Sequence, residues 1–283
     1  MRPIIFQTSF FTLHSLWFFF AIGLMAGTIT LVKLAKKNNL KIQFITENAF
    51  KLLIFTLLGA RIFSLIQNYQ VYFYEFSFSA LSRIFFIWDK GLSSWGAILG
   101  FGIIFYLLCK KKEQNFFKWM DIIVPSILII LGISSLGAFF DGIHYGRETT
   151  LPWGVNFESP SIKYTVPIHP TQIYAFIYSL IIASTLILID QHTKIKESFS
   201  NGIIALIGVS AFSLFKFLEE FLRGDDAWLI FGIRIPQILA LIIFIATGII
   251  FYLRYNKGGK KPKKRKKSKY KSKSYKLLKK KKK

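Results

Sequence analysis

KWMDIIVPSILIILGISSLGAFFDGIHYGRETTLPWGV, residues 118–155, changes character near its middle. A helix crossing the hydrocarbon of a membrane needs about 20 mainly apolar residues, and 118–139 meets that length almost without charge. Directly after it, Asp141, His144, Tyr145, Arg147 and Glu148 crowd into eight positions. Polar side chains next to a span pair with each other, face a cavity or reach the headgroups. The first half of the stretch predicts an integral membrane protein, and the second half marks where its chemistry is to be sought.

Six further stretches read the same way: 13–33, 46–67, 91–109, 170–190, 202–222 and 235–253. The expected fold is therefore an all-α integral membrane protein of about seven transmembrane helices. The first apolar run is long enough to span and no small-residue cleavage site follows it, so it reads as a span rather than a signal peptide. Lys36, Lys37 and Lys41 follow the first span, Lys110, Lys111, Lys112 and Lys118 the third, and Lys194 and Lys196 the fifth. Basic loops stay cytoplasmic, so the N-terminus is expected outside and the C-terminus inside. Residues 68–90, 140–169 and 223–234 then lie on the outer face.

Composition agrees. The chain is 53% hydrophobic and 18% charged, against about a quarter charged in a soluble domain. From Arg254 onward there are 18 Lys and Arg and no acid, which leaves 20 bases against 14 acids in the body, or +6 of the net +24. Two regions follow: residues 1–253 as the membrane domain and 254–283 as a Lys-rich cytoplasmic tail. The tail cannot bury a core and is expected to be disordered. It suits an anionic lipid surface; RNA is the other polyanion in reach, and a bare topology signal is the simplest reading. The single cysteine, Cys109, excludes an internal disulfide and a cysteine-rich metal site; it reads as an apolar filler.

Charged residues inside or beside the spans are the candidate functional groups. Arg61 lies within "LLGARIFSLI", residues 57–66, with no acid near it in sequence. It is either buried against another helix or a phosphate, or reaching for the headgroups; Gly59 and Ala60 beside it would admit a close helix neighbour. In "SLFKFLEEFLRGDD", residues 213–226, Lys216, Glu220 and Arg223 fall at i, i+4 and i+7, on one helix face. With Glu219 they form either a self-neutralising ladder or a cationic site held by carboxylates. In "VPIHPTQIYAF", residues 166–176, His169 precedes Pro170 and is held extended. Pro170 suits a first helical turn, and Thr171 and Gln172 sit where free amides favour an anion.

These segments, in order from about residue 10 to 250, resemble the prolipoprotein diacylglyceryl transferases of bacteria. "LLGARIFSLI" resembles the family's GGR segment, and "FIWDKGLSSWGAILG", residues 86–100, resembles W-D-G-G-M-S-x-H-G-G-x-x-G. Residues 135–155 resemble G-R-x-G-N-F-x-N-x-E-x-x-G-x-x-T-x-L-P-W. "HPTQIY" resembles H-P-[ST]-Q-L-Y-E, "FKFLEEFLRGDD" resembles F-R-F-x-x-E-F-x-R-x-P-D, and "IPQIL" resembles G-Q-I-L. The resemblance implies transfer of a diacylglyceryl group from phosphatidylglycerol to the lipobox cysteine thiol of a preprolipoprotein, in a bacterial cytoplasmic (plasma) membrane. No metal or cofactor is implied. Such a reaction needs help to make the thiol nucleophilic and cations for the departing phosphate.

The chain departs from the pattern. The family's histidine falls on Trp95, its signature arginine on Ser135 and asparagine on Ala138, a glutamate on Ile143 and another on Ala175, and an arginine on Lys216. Arg61, Asp141, Gly142, Gly146, His169, Gln172, Tyr174, Glu220, Arg223 and Gln237 are kept. On this reading Arg61, Lys216 and Arg223 contact phosphate and Glu220 orients them. Arg147, Gln172 and Tyr174 complete the substrate site. His169, His144 or a water near Asp141 takes the thiol proton. A competing reading makes residues 141–155 a scaffold in which Asp141 pairs with Arg147 and Trp153 anchors at the interface. An inactive member that binds phospholipid or a lipoprotein precursor is the alternative function, and a small transporter is a third. An enzyme is expected to gather His144 or His169 into one outer cavity with Arg61 and Arg223; a Trp95 filling that cavity would favour the inactive member.

Overall fold

The computed structural model describes residues 3–9, 12–67, 93–157, 162–192, 196 and 199–258. The loop at 68–90, the Trp95 side chain and the tail from 259 onward lie outside the described residues. Each of the seven apolar stretches is one helix: α1 Ser15–Lys37, α2 Gln43–Gln67, α3 Ser94–Lys111, α4 Phe116–Asp141, α5 Thr171–Gln191, α6 Ile203–Glu220 and α7 Ile235–Gly258. Five of them, α1, α2, α4, α5 and α7, are long and apolar enough to cross a membrane. α7 runs through Gly258, past the expected tail boundary at 254. Two short hairpins were not anticipated: β1 Ile4–Gln7 with β2 Thr12–His14, and β3 Leu229–Ile230 with β4 Ile233–Arg234.

Local chemistry sets the helix ends. The Asn115 side chain accepts the Lys118 amide at 3.1 Å at the start of α4, and Gly142 ends that helix in the left-handed region, φ 71°. Pro170 is the cap of α5 rather than its first residue. α6 stops at Glu220, so Arg223 lies beyond the helix and not on its face as the spacing predicts. The helix does not continue because the backbone beyond it is claimed elsewhere: Leu222 accepts the Arg147 amide at 2.7 Å, and Tyr145 accepts the Gly224 amide at 3.0 Å.

α1 packs on α4, α4 on α5, α5 and α7 on α6, and α2 on α3. Side chains such as Met25, Phe50, Ile103 and Ile181 point outward, an apolar surface that suits lipid rather than water. At the Lys-rich end, Phe44, Phe105 and Trp119 pack with Leu34 and a fully buried Cys109, as the filler reading expects. Asp190, 1% exposed, is held there by Lys37 and Asn38 at the end of α1 and by Lys196. Asp121 takes the Gly202 and Ala205 amides at 2.6 and 2.9 Å, closing the start of α6.

The neighbour expected beside Gly59 is α3. A Cβ on Gly59 would stand 2.5 Å from the Gly96 carbonyl oxygen, and one on Gly100 2.5 Å from that of Phe55. Only glycine permits this approach. Gly100→Leu is expected to force the helices apart at a cost of about 3 kcal/mol, read as a lowered melting temperature in detergent. An unchanged melt would contradict the close packing.

Candidate active site

The polar end of the bundle is built from the end of α6, the start of α7 and the loops 142–157 and 162–170. Glu219 and Glu220 close α6, side by side. Lys216 Nζ lies 2.6 Å from Glu219 Oε1 and 3.3 Å from Glu220 Oε1. Tyr178 of α5 donates its hydroxyl to Glu219 Oε2 at 2.7 Å. Arg223 turns back over the helix end, 3.7 Å from both carboxylates. The predicted ladder and the predicted cationic cluster are the same object.

Two more members join them, Arg234 from outside the segment 213–226 and Asp225 from its end. Arg234, at the end of β4, donates Nε to Glu220 Oε2 and Nη2 to Asp225 Oδ1, each at 2.8 Å. Asp225 is also gripped by Arg223, through Nε at 2.7 Å and through Nη2. Burial alone would raise the Asp225 carboxyl; the hydrogen bonds from Arg223 and the charges of Arg223 and Arg234 reverse this and hold it well below the usual carboxylate range. Lys216, Arg223 and Arg234 thus balance Glu219, Glu220 and Asp225. Such balance is what burial of charge demands.

A cavity of about 910 Å³ opens onto this cluster. Arg147, Glu220, Arg223, Asp225 and Arg234 line one end, and Phe217, Ile238, Leu241 and Ile245 line its sides. At about 1.5 Å per residue, the run from Ile235 to Ile245 along α7 measures about 15 Å. The lining therefore has the polarity of a phospholipid: charge at one end and a long apolar trough.

The stretch 141–155 folds over the polar end. Arg147 donates Nε to the Arg223 carbonyl at 3.0 Å. The expected Asp141–Arg147 pair does not form. Asp141 ends α4, with Oδ1 buried and unpaired, while Gly142 turns the chain away so that Arg147 reaches the 222–224 segment instead. His144 sits at φ 62°, uncommon for a non-glycine residue. α5 enforces it: Thr171 donates its hydroxyl to the His144 carbonyl at 2.6 Å, and Gln172 its amide to the Ile143 carbonyl at 2.7 Å. The His144 ring is thereby held with Nδ1 2.7 Å from Arg223 Nη2. A guanidinium only donates, so in this contact Nδ1 is the acceptor. Gly146 allows the loop to close, since a Cβ there would stand 2.3 Å from the His169 carbonyl oxygen.

His169 stands apart from the ion cluster. Its Nδ1 is 3.2 Å from the Tyr174 hydroxyl, which accepts the Trp153 indole N–H at 2.8 Å. Burial lowers the His169 pKa below its ordinary 6.5 and keeps the ring neutral at pH 7. Trp153 therefore has a specific polar partner beyond an interface position.

Of the residues singled out in the sequence, the structure brings together Lys216, Glu220, Arg223, His144 and Arg147. Tyr174 joins His169, and Gln172 holds the loop from beneath. Arg61 is buried in α2 and does not line the cavity. Sequence reasoning missed Arg234, Asp225 and Tyr178. A lone arginine opening an apolar span, in "FGIRIPQIL" at 231–239, was the available signal for Arg234.

Comparison with known proteins bears on this geometry. The family model described as Prolipoprotein diacylglyceryl transferase matches residues 3–253. The chain is 28% identical over 252 residues to the phosphatidylglycerol–prolipoprotein diacylglyceryl transferase of Clostridium tetani, covering 89% of this chain and 97% of that one. It is 29% identical over 251 residues to the protein of the same name from Finegoldia magna, covering 88% and 94%. To the Cutibacterium acnes protein of that name it is 30% identical over 210 residues, covering 71% and 69%. With a match from the first hairpin to the last helix, the chain belongs to the prolipoprotein diacylglyceryl transferase family.

Proposed function

We propose that the chain transfers a diacylglyceryl group from phosphatidylglycerol to the lipobox cysteine thiol of a prolipoprotein. The supporting observation is the cleft that joins a guanidinium-lined end to an apolar trough. The phosphate sits at the charged end and an acyl chain lies along α7. The thiolate sulfur attacks the glyceryl carbon that bears the phosphate. A carbon–sulfur bond forms, the carbon–oxygen bond breaks, and glycerol phosphate departs with the electron pair. Arg223 and Lys216 stabilise that charge, and Glu220 orients both. Arg61, buried in α2 and not lining the cleft, is left out of this arrangement. Arg147, Gln172 and Tyr174 hold the loop that closes the site. His169, neutral and hydrogen-bonded to Tyr174, receives the thiol proton. His144, with Nδ1 engaged by Arg223, is the electrostatic partner, and Asp141 holds a water near the loop.

In this reading all seven helices span the plasma membrane of a bacterium, with the N-terminus outside and the C-terminus inside. Residues 1–253 are the catalytic domain, and the Lys-rich tail from 254 lies on the cytoplasmic leaflet against anionic lipid, with RNA as the competing polyanion. The test is direct. Purified protein in phosphatidylglycerol micelles is given a lipobox peptide with one cysteine, and mass spectrometry is expected to find the diacylglyceryl mass on its thiol. A Cys-to-Ser peptide stays unmodified. Lipid bound without transfer would mark an inactive member.

The histidine assignment has its own signature. Because burial lowers the His169 pKa, a rate that needs neutral His169 falls on the acid side with its midpoint below 6.5. His169→Ala is expected to lower kcat/KM about 100-fold and to abolish that acid limb. An unchanged limb would remove His169 from the role of base.

A further inference from the structure

The anion end of the cleft holds an anion of the protein's own. Asp225 presents both carboxylate oxygens to Arg223, through Nε at 2.7 Å and Nη2, and one of them also to Arg234 Nη2 at 2.8 Å. A guanidinium fork matches a pair of phosphate oxygens as it matches a carboxylate. We propose that Arg223 and Arg234 together are the seat of the lipid phosphodiester, and that the Asp225 carboxylate fills this seat until the headgroup displaces it. The proposal rests on the phosphatidylglycerol reading of the site and adds to it one binding residue, Arg234, and one gate, Asp225.

Three observations carry it. First, the guanidiniums are anchored from behind. Arg234 is fixed by Glu220 at 2.8 Å, and Arg223 faces Glu219 and Glu220 at 3.7 Å. They stay in place when Asp225 leaves. Second, Asp225 is the carboxylate free to leave. Glu219 and Glu220 are rooted in α6 with side chains 5% and 1% exposed, whereas Asp225 follows Gly224 in a loop and its side chain is 18% exposed at the mouth of the cleft. Its neighbour Asp226 already faces water. Third, the charges require an exchange. The cluster is neutral with Asp225 in it, so a phosphodiester added to it would leave a buried excess of negative charge, which is costly. A phosphodiester that replaces the carboxylate keeps the balance. A headgroup without an anion has nothing to exchange, so neutral diacylglycerol gains nothing from the seat.

The experiment measures binding of phosphatidylglycerol and of diacylglycerol to the full chain in detergent, with the unaltered protein, Asp225→Asn and Arg234→Gln side by side. If the seat is open about a tenth of the time, removing the gate raises affinity about tenfold. Asp225→Asn is expected to bind phosphatidylglycerol about tenfold more tightly and to lower its KM, with diacylglycerol binding unchanged. Arg234→Gln is expected to weaken phosphatidylglycerol binding at least tenfold. Phosphatidylglycerol binding by the unaltered chain that Asp225→Asn leaves the same or weakens would overturn the gate and leave the transferase reading standing. No binding by the unaltered chain would overturn both. Should Asp225→Asn fail to fold, hydrogen exchange of the unaltered chain decides: amides of 225–228 are expected to exchange faster when phosphatidylglycerol is added, and unchanged exchange overturns the gate.

Discussion

Arg223→Gln is expected to lower diacylglyceryl transfer by about 10²–10³-fold, the range for removing one group that stabilises developing negative charge. The size follows from how much converges on this guanidinium. It faces Glu219 and Glu220, grips Asp225 and donates to His144. Glutamine supplies no charge, so Lys216 and Arg234 alone face three carboxylates and the site becomes net negative just where a phosphate must dock. Removing the Lys216 charge as well is expected to abolish lipid binding. The check is the lipobox peptide assay, with each variant scaled to its folded fraction. Transfer within a few fold of the unaltered protein would take Arg223 out of the reaction.

Glu220→Gln is the larger test of stability. Its carboxylate is 1% exposed and serves Arg234 at 2.8 Å and Lys216 at 3.3 Å. The amide keeps the volume and removes the charge, so the loss is electrostatic. Breaking a buried pair from one side costs about 3–5 kcal/mol. The value expected here is near 3, since Lys216 is partly exposed and can turn towards water. Denaturation in detergent reads this directly, and an unchanged midpoint would mean that water already screens the cluster.

How far the sequence reaches is clear from particular residues. Each apolar stretch became a helix whose ends lie within about five residues of the expected ones, because a helix in lipid must satisfy its backbone internally over a fixed thickness. Lys216, Glu219 and Glu220 were legible as neighbours because contacts at i+3 and i+4 belong to the helix itself. Gly59 announced a close approach because no other residue allows one. Gly142 and Gly146 marked turns, but the closeness of Asp141 and Arg147 in the sequence pointed to a pair that the left-handed turn at Gly142 prevents.

The chain by itself determined a helical membrane protein, the place of each helix, the polar segments between them and the family. Those features depend on composition and on periods of a few residues, which local physics enforces. The tertiary structure decided which charges meet. Arg234 joins Glu220 across 14 residues, Arg223 meets His144 across 79, and Tyr178 reaches Glu219 across 41. No period links such positions. They are brought together because α6 packs between α5 and α7 while the 142–147 loop is pinned to the turn after α6, and a buried charge at that junction persists only where packing supplies its opposite.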